Sequence, residues 1–330
     1  MSSNGTIKVF AGSSGRTFAK RICEAIGVEL GCSETITFSE GTLFVRVGET
    51  VRDKDVYLVQ PIGMRPNDEL VEILFWMDAF KRASADSITA IIPYFGYGKG
   101  DKKDEPRVSI RARVCADAIE QAGAARVVTM DLHSPQIQGF FRGPVDHLFA
   151  LPILCEYVKR LGLVDPVVVA PDAGFAKRAR GYARYLDAPL AIGDKLRRGH
   201  DEKAEILTII GDVAGKDAVI VDDFTNTGGT LVELARVLRA QGAQRILACV
   251  SHLVLREAGV RAIEESEIER LIGTDSVDNP WVAASPRIEV VSVAPLFAEA
   301  IRRIHARESV SPLFNWVPDQ VLQRSMAGCR

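Results

Sequence analysis

Residues 219–230 read Val-Ile-Val-Asp-Asp-Phe-Thr-Asn-Thr-Gly-Gly-Thr, and the helical run Leu231 to Leu238 follows directly. An apolar run that ends on two carboxylates and turns through small residues into a helix leaves few folds open. It reads as a buried strand, a close turn and a helix start, the unit of an open α/β sheet. The turn also has a chemistry. Gly228 and Gly229 let main-chain amides approach an anion with no Cβ in the way. Thr227 and Thr230 add hydroxyl donors, and the helix N-terminus adds free N–H groups and a favourable dipole. Asp222 and Asp223 do not suit a phosphate; they suit ribose hydroxyls or a magnesium ion beside one. The segment therefore reads as a site for a phosphorylated sugar, and its plain alternative is a polar strand-to-helix loop.

The same grammar runs along the whole chain. Strands are expected at Ile7–Ala11, Val56–Gln60, Ile88–Pro93 and Val127–Met130, with helices at Thr17–Ile26, Pro66–Arg82 and Ile110–Ala122. In the second of these helices Leu70, Ile73, Leu74 and Met77 recur at helical spacing. After about residue 150 the pattern restarts. Val167–Ala170, Pro189–Ile192, Ala218–Val221, Ile246–Val250 and Ile288–Val293 read as strands, and Lys177–Leu186 and Ala298–Ala306 as helices. This alternation predicts open, mainly parallel α/β sheets. An internal repeat supports duplication: Ile119 to His133 matches Leu238 to His252, each reading as helix, Gly-Ala corner, Arg, buried strand and His. Only the second copy carries the Asp-Asp and Thr-Gly-Gly-Thr pattern.

The whole-chain figures exclude several function classes. With 330 residues, 47% hydrophobic and 25% charged, the chain has material for two ordinary cores. Lys plus Arg is 41 against 43 for Asp plus Glu, so no basic excess argues for nucleic acid. The six cysteines are scattered without a CxxC pair, which supports neither a zinc site nor a redox motif. The first residues lack the charged flank and apolar core of a signal peptide, and no apolar run is long enough to span a bilayer, so a cytoplasmic protein is expected.

Further candidates lie at strand ends. Asp172 follows the strand Val167–Ala170, and in open α/β sheets ligands bind outside the carboxyl ends of strands; its alternative is a helix cap. His133 ends the strand of the first repeat and is suited to a metal or a phosphate. Tyr94 to Arg107 is expected to be a mobile glycine-containing segment whose Lys99, Lys102, Lys103 and Arg107 meet phosphates, or else a solvated loop. Asp194 to His200 is a second basic segment, expected as a flexible loop directly after a strand. Its Lys195 and Arg197 suit a transferring pyrophosphoryl group, which needs alignment and charge stabilisation more than covalent help.

Taken together, these residues resemble the ribose-phosphate pyrophosphokinase family from about Ile7 to Phe314. The matching stations include Phe10 to Ser14, Val51-Arg52, Asn67 to Leu70, Asp101 to Asp104, Asp131-Leu132-His133, Gln136 to Phe141, Pro171 to Gly174, Gly211-Asp212-Val213, the glycine turn, and Ala298 to Arg303. The resemblance implies two phosphoribosyltransferase-type domains, here 1–150 and 151–314, the last helix packing back on the first, with a tail at 315–330. It implies transfer of the β,γ-pyrophosphoryl group of ATP to the anomeric hydroxyl of ribose 5-phosphate with Mg2+. It implies a dimer-based homo-oligomer, up to a hexamer. It assigns the 5-phosphate to Asn226, Thr227, Gly228, Gly229 and Thr230, the ribose hydroxyls to Asp222 and Asp223, transition-state charge to Lys195 and Arg197, and metal to His133 and Asp172. The nucleotide falls to Phe38, Glu40 and Thr42 of one chain and to Lys99, Gly100 and Asp101 of its neighbour.

The chain departs from the family's pattern at these same positions. Glu40 stands where Asp or Asn is usual, Thr42 where Glu is usual, and Lys99-Gly100 where Arg-Gln is usual. Asn226 replaces an Asp, Arg142 an acidic residue, and Arg111 a small hydroxyl residue. An Arg stacks on a base and presents a fork in a way Lys does not. The phosphate and catalytic stations are kept while the adenine station is changed. The expectation is an active pyrophosphokinase with an altered nucleotide or acceptor preference. The alternatives are a non-catalytic subunit that regulates a synthetase, or a phosphoribosyltransferase that consumes the activated sugar.

Overall fold

The computed structural model describes residues 6–197, 205–314 and 316–327. The chain begins with β1 (Ile7–Ala11), α1 (Arg16–Ile26), β2 (Ser33–Thr37), β3 (Leu43–Val47), β4 (Asp55–Val59), α2 (Pro66–Arg82) and β5 (Ser87–Ile92). It continues through α3 (Arg111–Ala122), β6 (Arg126–Met130) and β7 (Val145–Leu148). Then come α4 (Leu151–Lys159), β8 (Pro166–Ala170), α5 (Ala176–Leu186), β9 (Leu190–Arg197), β10 (Glu205–Ile210), β11 (Asp217–Thr225), α6 (Gly229–Ala240) and β12 (Ile246–Leu253). The last elements are α7 (Glu257–Glu264), β13 (Arg270–Thr274), α8 (Pro280–Ala283), β14 (Ile288–Val291), α9 (Ala294–His305) and α10 (Asp319–Ala327). Two compact units emerge. One holds residues 1–149, 276–278 and 293–325, and the other 150–275, 279–292 and 326–330. Among the described residues no helix is long and apolar enough to cross a membrane.

In the first unit, five strands in the order β1-β4-β5-β6-β7 form one sheet, parallel throughout. A parallel sheet is covered on both faces, so its strands read as continuous apolar runs; Val56 to Val59 and Ile88 to Ile92 are almost wholly buried. Helix α2 lays Ile73, Trp76, Met77 and Phe80 into this core, where the rings of Phe80 and Phe10 lie 4.9 Å apart. Helix α9 packs on α1, with Phe18 and Phe297 edge to face at 5.3 Å.

The sequence reading passed over the hairpin β2–β3 entirely. Its first strand carries a single apolar residue, Ile36, and its second has only the short run Leu43 to Val45, so no sustained apolar run marks it. What seats it is a buried carboxylate. Glu72 of α2 accepts from Thr35 Oγ1 at 2.7 Å, Ser13 N at 2.9 Å, Ser13 Oγ at 2.5 Å, Gln60 Nε2 at 2.9 Å and Trp76 Nε1 at 3.2 Å. A buried polar side chain is tolerated when donors surround it in this way. One side chain therefore ties the hairpin, the turn after β1 and the end of β4 to α2.

The second unit is a seven-stranded sheet in the order β10-β9-β8-β11-β12-β13-β14. All neighbours are parallel except β10 and β9, which are antiparallel. Its core is Val169, Ile220, Leu234, Ile246 and Leu271 with their neighbours. Two strands run longer than the apolar pattern suggests. β11 continues to Thr225, so Asp222 and Asp223 belong to the strand rather than to the turn after it. β9 continues to Arg197, because β10 pairs with it from Ile192 to Arg197. The expected flexible loop therefore begins no earlier than Arg198, and Arg198, Gly199 and His200 lie outside the described residues.

Candidate functional site

The second unit gathers three of the predicted carboxylates. β11 pairs with β8 only from Asp217 to Ile220, while its pairing with β12 runs on to Thr225. The overshoot places Asp222 and Asp223 beyond the carboxyl end of β8, where the turn holding Asp172 begins. Asp172 Oδ1 accepts from the amide of Phe175 at 2.9 Å, so the carboxylate shapes the entry to α5 as a cap would. Its charge also reaches Asp222. Burial, then the neighbouring charge of Asp223, pushes the Asp222 carboxyl up to about 8. Asp222 Oδ1 accepts from the amide of Asp223 at 2.9 Å. Asp223 is 5% exposed and has the guanidinium of Arg178 at 3.6 Å. The two adjacent carboxyl groups also hydrogen-bond each other, which raises Asp222 further.

The glycine turn follows at the same edge. Gly228 caps α6 with φ +75°, a left-handed conformation that glycine enters without strain. A Cβ there would meet the Gly259 carbonyl and Ile263 Cδ1 at 3.3 Å each. Asn226, Thr227, Gly229 and Thr230 are exposed, and the Gly229 amide lies 3.4 Å from Thr227 Oγ1. Behind the turn stands Gly259 of α7. A Cβ at that position would lie 3.1 Å from Asn226 O and 3.2 Å from Thr227 C. Sequence reasoning missed both Gly259 and Arg178, since each lies on a helix remote in sequence from the turn. The backbones of Lys195 and Arg197 lie in β9, paired with Leu207 and Glu205 of β10.

The first unit holds the residues expected at a nucleotide. Phe38, Glu40 and Thr42 form the tip of the β2–β3 hairpin, closed by Phe38 N to Thr42 O at 2.9 Å and by Gly41 at φ +89°. Glu40 and Thr42, two departures from the family pattern, bond each other at 2.8 Å. Hydrogen bonding, first from the backbone and then from Thr42, holds the Glu40 carboxyl below the usual range. The Phe38 ring is 45% exposed.

Lys99 and Gly100 end a short 3-10 turn, Gly98–Gly100, with Asp101 just after it. Here the expectation of a mobile glycine segment is corrected for its first half. Tyr94, Phe95, Gly98 and Gly100 are buried, and Ile62 N donates to Tyr94 O at 2.8 Å. The glycines serve close packing: a Cβ at Gly96 would lie 2.4 Å from the Ile62 carbonyl, and one at Gly98 3.4 Å from His133 Cβ. The turn and His133 are therefore neighbours. His133 itself is exposed, and it follows Asp131, whose φ is +41°. The buried His147, which sequence reasoning missed, anchors this bend by accepting from Leu132 N at 2.9 Å through Nε2. The two residues assigned to metal fall in different units, His133 in the first and Asp172 in the second. Among the described residues no group of three or more His, Cys, Asp or Glu side chains is close enough to cage a metal.

Comparison with known proteins adds the family. The N-terminal domain of ribose phosphate pyrophosphokinase matches residues 7–123, and the phosphoribosyl synthetase-associated domain matches 195–315. A ribose-phosphate pyrophosphokinase of Caldanaerobacter subterraneus is 50% identical over 94% of this chain and 98% of its own length. One from Synechocystis is 44% identical over 95% of this chain and 94% of its own. The crystal structure of phosphoribosylpyrophosphate synthetase from Mycobacterium smegmatis superposes with a TM-score of 0.86 at 35% identity, covering 92% of this chain and 99% of that one.

Proposed function

The chain belongs to the ribose-phosphate pyrophosphokinase family, and we propose that it transfers the pyrophosphoryl group of a nucleoside triphosphate, ATP by default, to ribose 5-phosphate. In that step the anomeric oxygen of the sugar bonds to the β-phosphorus. The bond from that phosphorus to the α,β-bridging oxygen breaks. The nucleoside monophosphate leaves, and the hydroxyl proton passes to solvent. The observation that carries the reading is the exposed amide turn at the start of α6, beside three carboxylates that outrun the end of β8.

Each residue then has a task. The amides and hydroxyls from Asn226 to Thr230 hold the 5-phosphate, as a helix N-terminus preceded by glycines does. Asp222 and Asp223 accept from the ribose hydroxyls, and Arg178 steadies Asp223. Asn226 meets the sugar with an amide, which donates as well as accepts. Lys195 and Arg197 bring positive charge to the transferring group, where charge rather than covalent help lowers the barrier. Phe38, Glu40, Thr42, Lys99, Gly100 and Asp101 receive the nucleotide. The Glu40–Thr42 bond and the bare Gly100 support a donor preference that departs from the family norm.

Magnesium fits the donor set of the second unit. Burial, and then the neighbouring charge of Asp223, raise Asp222; a cation relieves the second of these, and oxygen ligands suit a hard divalent ion. Asp172 would help to hold it, and His133 of the first unit is proposed separately as a metal ligand; when bound, the ion would neutralise charge on the phosphoryl oxygens. In this reading the protein is cytoplasmic and works as a dimer-based homo-oligomer, up to a hexamer.

Incubation with Mg2+, ribose 5-phosphate and each of several nucleoside triphosphates, followed by 31P NMR, tests the proposal. Equal amounts of nucleoside monophosphate and a sugar 1-pyrophosphate are expected. Monophosphate formed without need of the sugar would overturn it. Turnover only after a second synthetase is added would make the chain a regulatory subunit. Pyrophosphate release from the activated sugar and a base would make it a phosphoribosyltransferase.

A further inference from the structure

Gly100 and Arg111 are both departures from the family pattern, 11 residues apart in sequence, and the fold puts them in contact. A Cβ built at Gly100 would lie 2.7 Å from Arg111 Nε, 2.8 Å from Arg111 Cβ and 3.4 Å from Arg111 Cγ. These distances admit no side chain at 100 while Arg111 keeps its place, because the Arg111 Cβ is fixed by its helix. The space beside the Lys99–Gly100 turn is filled from α3 instead. Its neighbour on the same helix, Arg113, is neutralised by Asp117 at 2.8 Å. Arg111 is exposed, and among the described residues no acid or carbonyl holds its guanidinium. Its charge is felt at Tyr97, in the residue just before the same turn. As the first residue of α3 it sits where a cation gains nothing from the helix dipole. Packing alone therefore accounts for Gly100 but not for an arginine opposite it.

We propose that Arg111 is a donor-nucleotide contact residue, its guanidinium standing in for the side chain that Gly100 lacks and acting beside Lys99 on the nucleoside triphosphate. Gly100 and Arg111 form one coupled unit in which the fork has moved from the turn to the first residue of α3. A guanidinium supplies planar donors and a stacking face that Lys99 does not. The inference rests on the reading of Lys99 and Gly100 as nucleotide residues.

The full-length protein is tested by equilibrium dialysis with Mg2+–ATP and, separately, with ribose 5-phosphate. Arg111→Ser is expected to weaken ATP binding at least tenfold, with ribose 5-phosphate binding within twofold and the melting temperature unchanged. Arg111→Lys recovers less than half of the loss on a logarithmic scale. Gly100→Gln alone also weakens ATP binding, because it displaces Arg111, while Gly100→Gln with Arg111→Ser binds more tightly than the product of the two single losses predicts. ATP binding within twofold of the parent in Arg111→Ser overturns the proposal, as do strictly multiplicative losses in the double variant. A parent that binds ATP but turns over no sugar phosphate would sink the proposed reaction and leave this inference standing.

Discussion

Gly123 and Gly242 turn the chain out of α3 and α6 with the same hydrogen bonds. Gly123 N donates to Glu120 O and Ala124 N to Ile119 O; Gly242 N donates to Arg239 O and Ala243 N to Leu238 O. The arginine after each corner pairs with an acid of the next strand region, Arg126 with Asp146 and Arg245 with Glu269. Each helix runs 12 residues into a buried parallel strand. The copies part most clearly where strand meets helix. Between β11 and α6 lie three residues, Asn226 to Gly228, and an exposed amide turn. Between β5 and α3 lie residues 93–110, whose first half is packed down by glycines and whose second half is largely exposed. The scaffold was free to be repeated because burial sets it; in the proposed reaction each joint meets a different part of the chemistry.

The sharpest way to break this contrast is through charge. Lys195→Ala in the second unit is expected to lower kcat by about 100–1,000-fold, the scale for losing one group that stabilises transition-state charge, with ribose 5-phosphate affinity within threefold. Lys99→Ala in the first unit should instead act mainly on the KM for nucleotide. Steady-state kinetics separates the two, and matching losses in kcat would erase the division of labour.

Gly228→Ala comes next. A side chain in the left-handed region costs about 1–2 kcal/mol, and its Cβ would press on Gly259 O. Ribose 5-phosphate affinity should fall roughly 5- to 30-fold by calorimetry, with nucleotide affinity unchanged. An unaltered sugar-phosphate affinity would remove the anion from this turn.

The pH response should also separate the joints. β11 carries Asp222, whose carboxyl rises to about 8 in the fold, whereas β5 ends at Ile92 and runs into Pro93-Tyr94 without a carboxylate. A raised acid means that the folded state holds a proton the unfolded chain has released. Stability therefore falls as pH rises from the ordinary carboxylate range to about 8, and the effect is absent below that range. Asp222→Asn removes it. Thermal unfolding without ligand or metal should show the variant gaining on the parent from pH 5 to pH 9, by roughly 2–4 °C for each kcal/mol relieved. A constant difference across that range would mean the strand end is not strained by charge.

The smallest effect concerns what the copies share. Gly123→Ala and Gly242→Ala each force a side chain onto positive φ, +134° and +88°, and each should cost about 1–2 kcal/mol of stability with turnover at 25 °C intact. Chemical denaturation giving sharply unequal losses would mean the corners are alike in trace only.

The repeat was legible because it is written in apolar periodicity and in a Gly-Ala corner, and both act locally. The glycine turn was legible for the same reason: Gly228 and Thr230 stand in one short run after a buried strand. The β2–β3 hairpin was not, since Glu72 seats it from α2 by hydrogen bonds that leave no periodic trace. The segment at Tyr94 was read as mobile because glycine permits both freedom and contact, and only the 2.4 Å between a Gly96 Cβ and Ile62 O tells which. Gly259, Arg178 and His147 were invisible because their partners are distant in sequence.

Sequence alone determined the sheet-and-helix class, the doubling of the α3–β6 and α6–β12 pattern and the glycine turn before α6, because apolar spacing and glycine placement act between near neighbours. Tertiary structure decided which groups meet. It drew Asp172 toward Asp222, set Arg178 on Asp223 and laid Arg111 in the space above Gly100. Those meetings depend on how far each strand outruns its neighbour and on how closely two backbones can approach, and long-range packing fixes both.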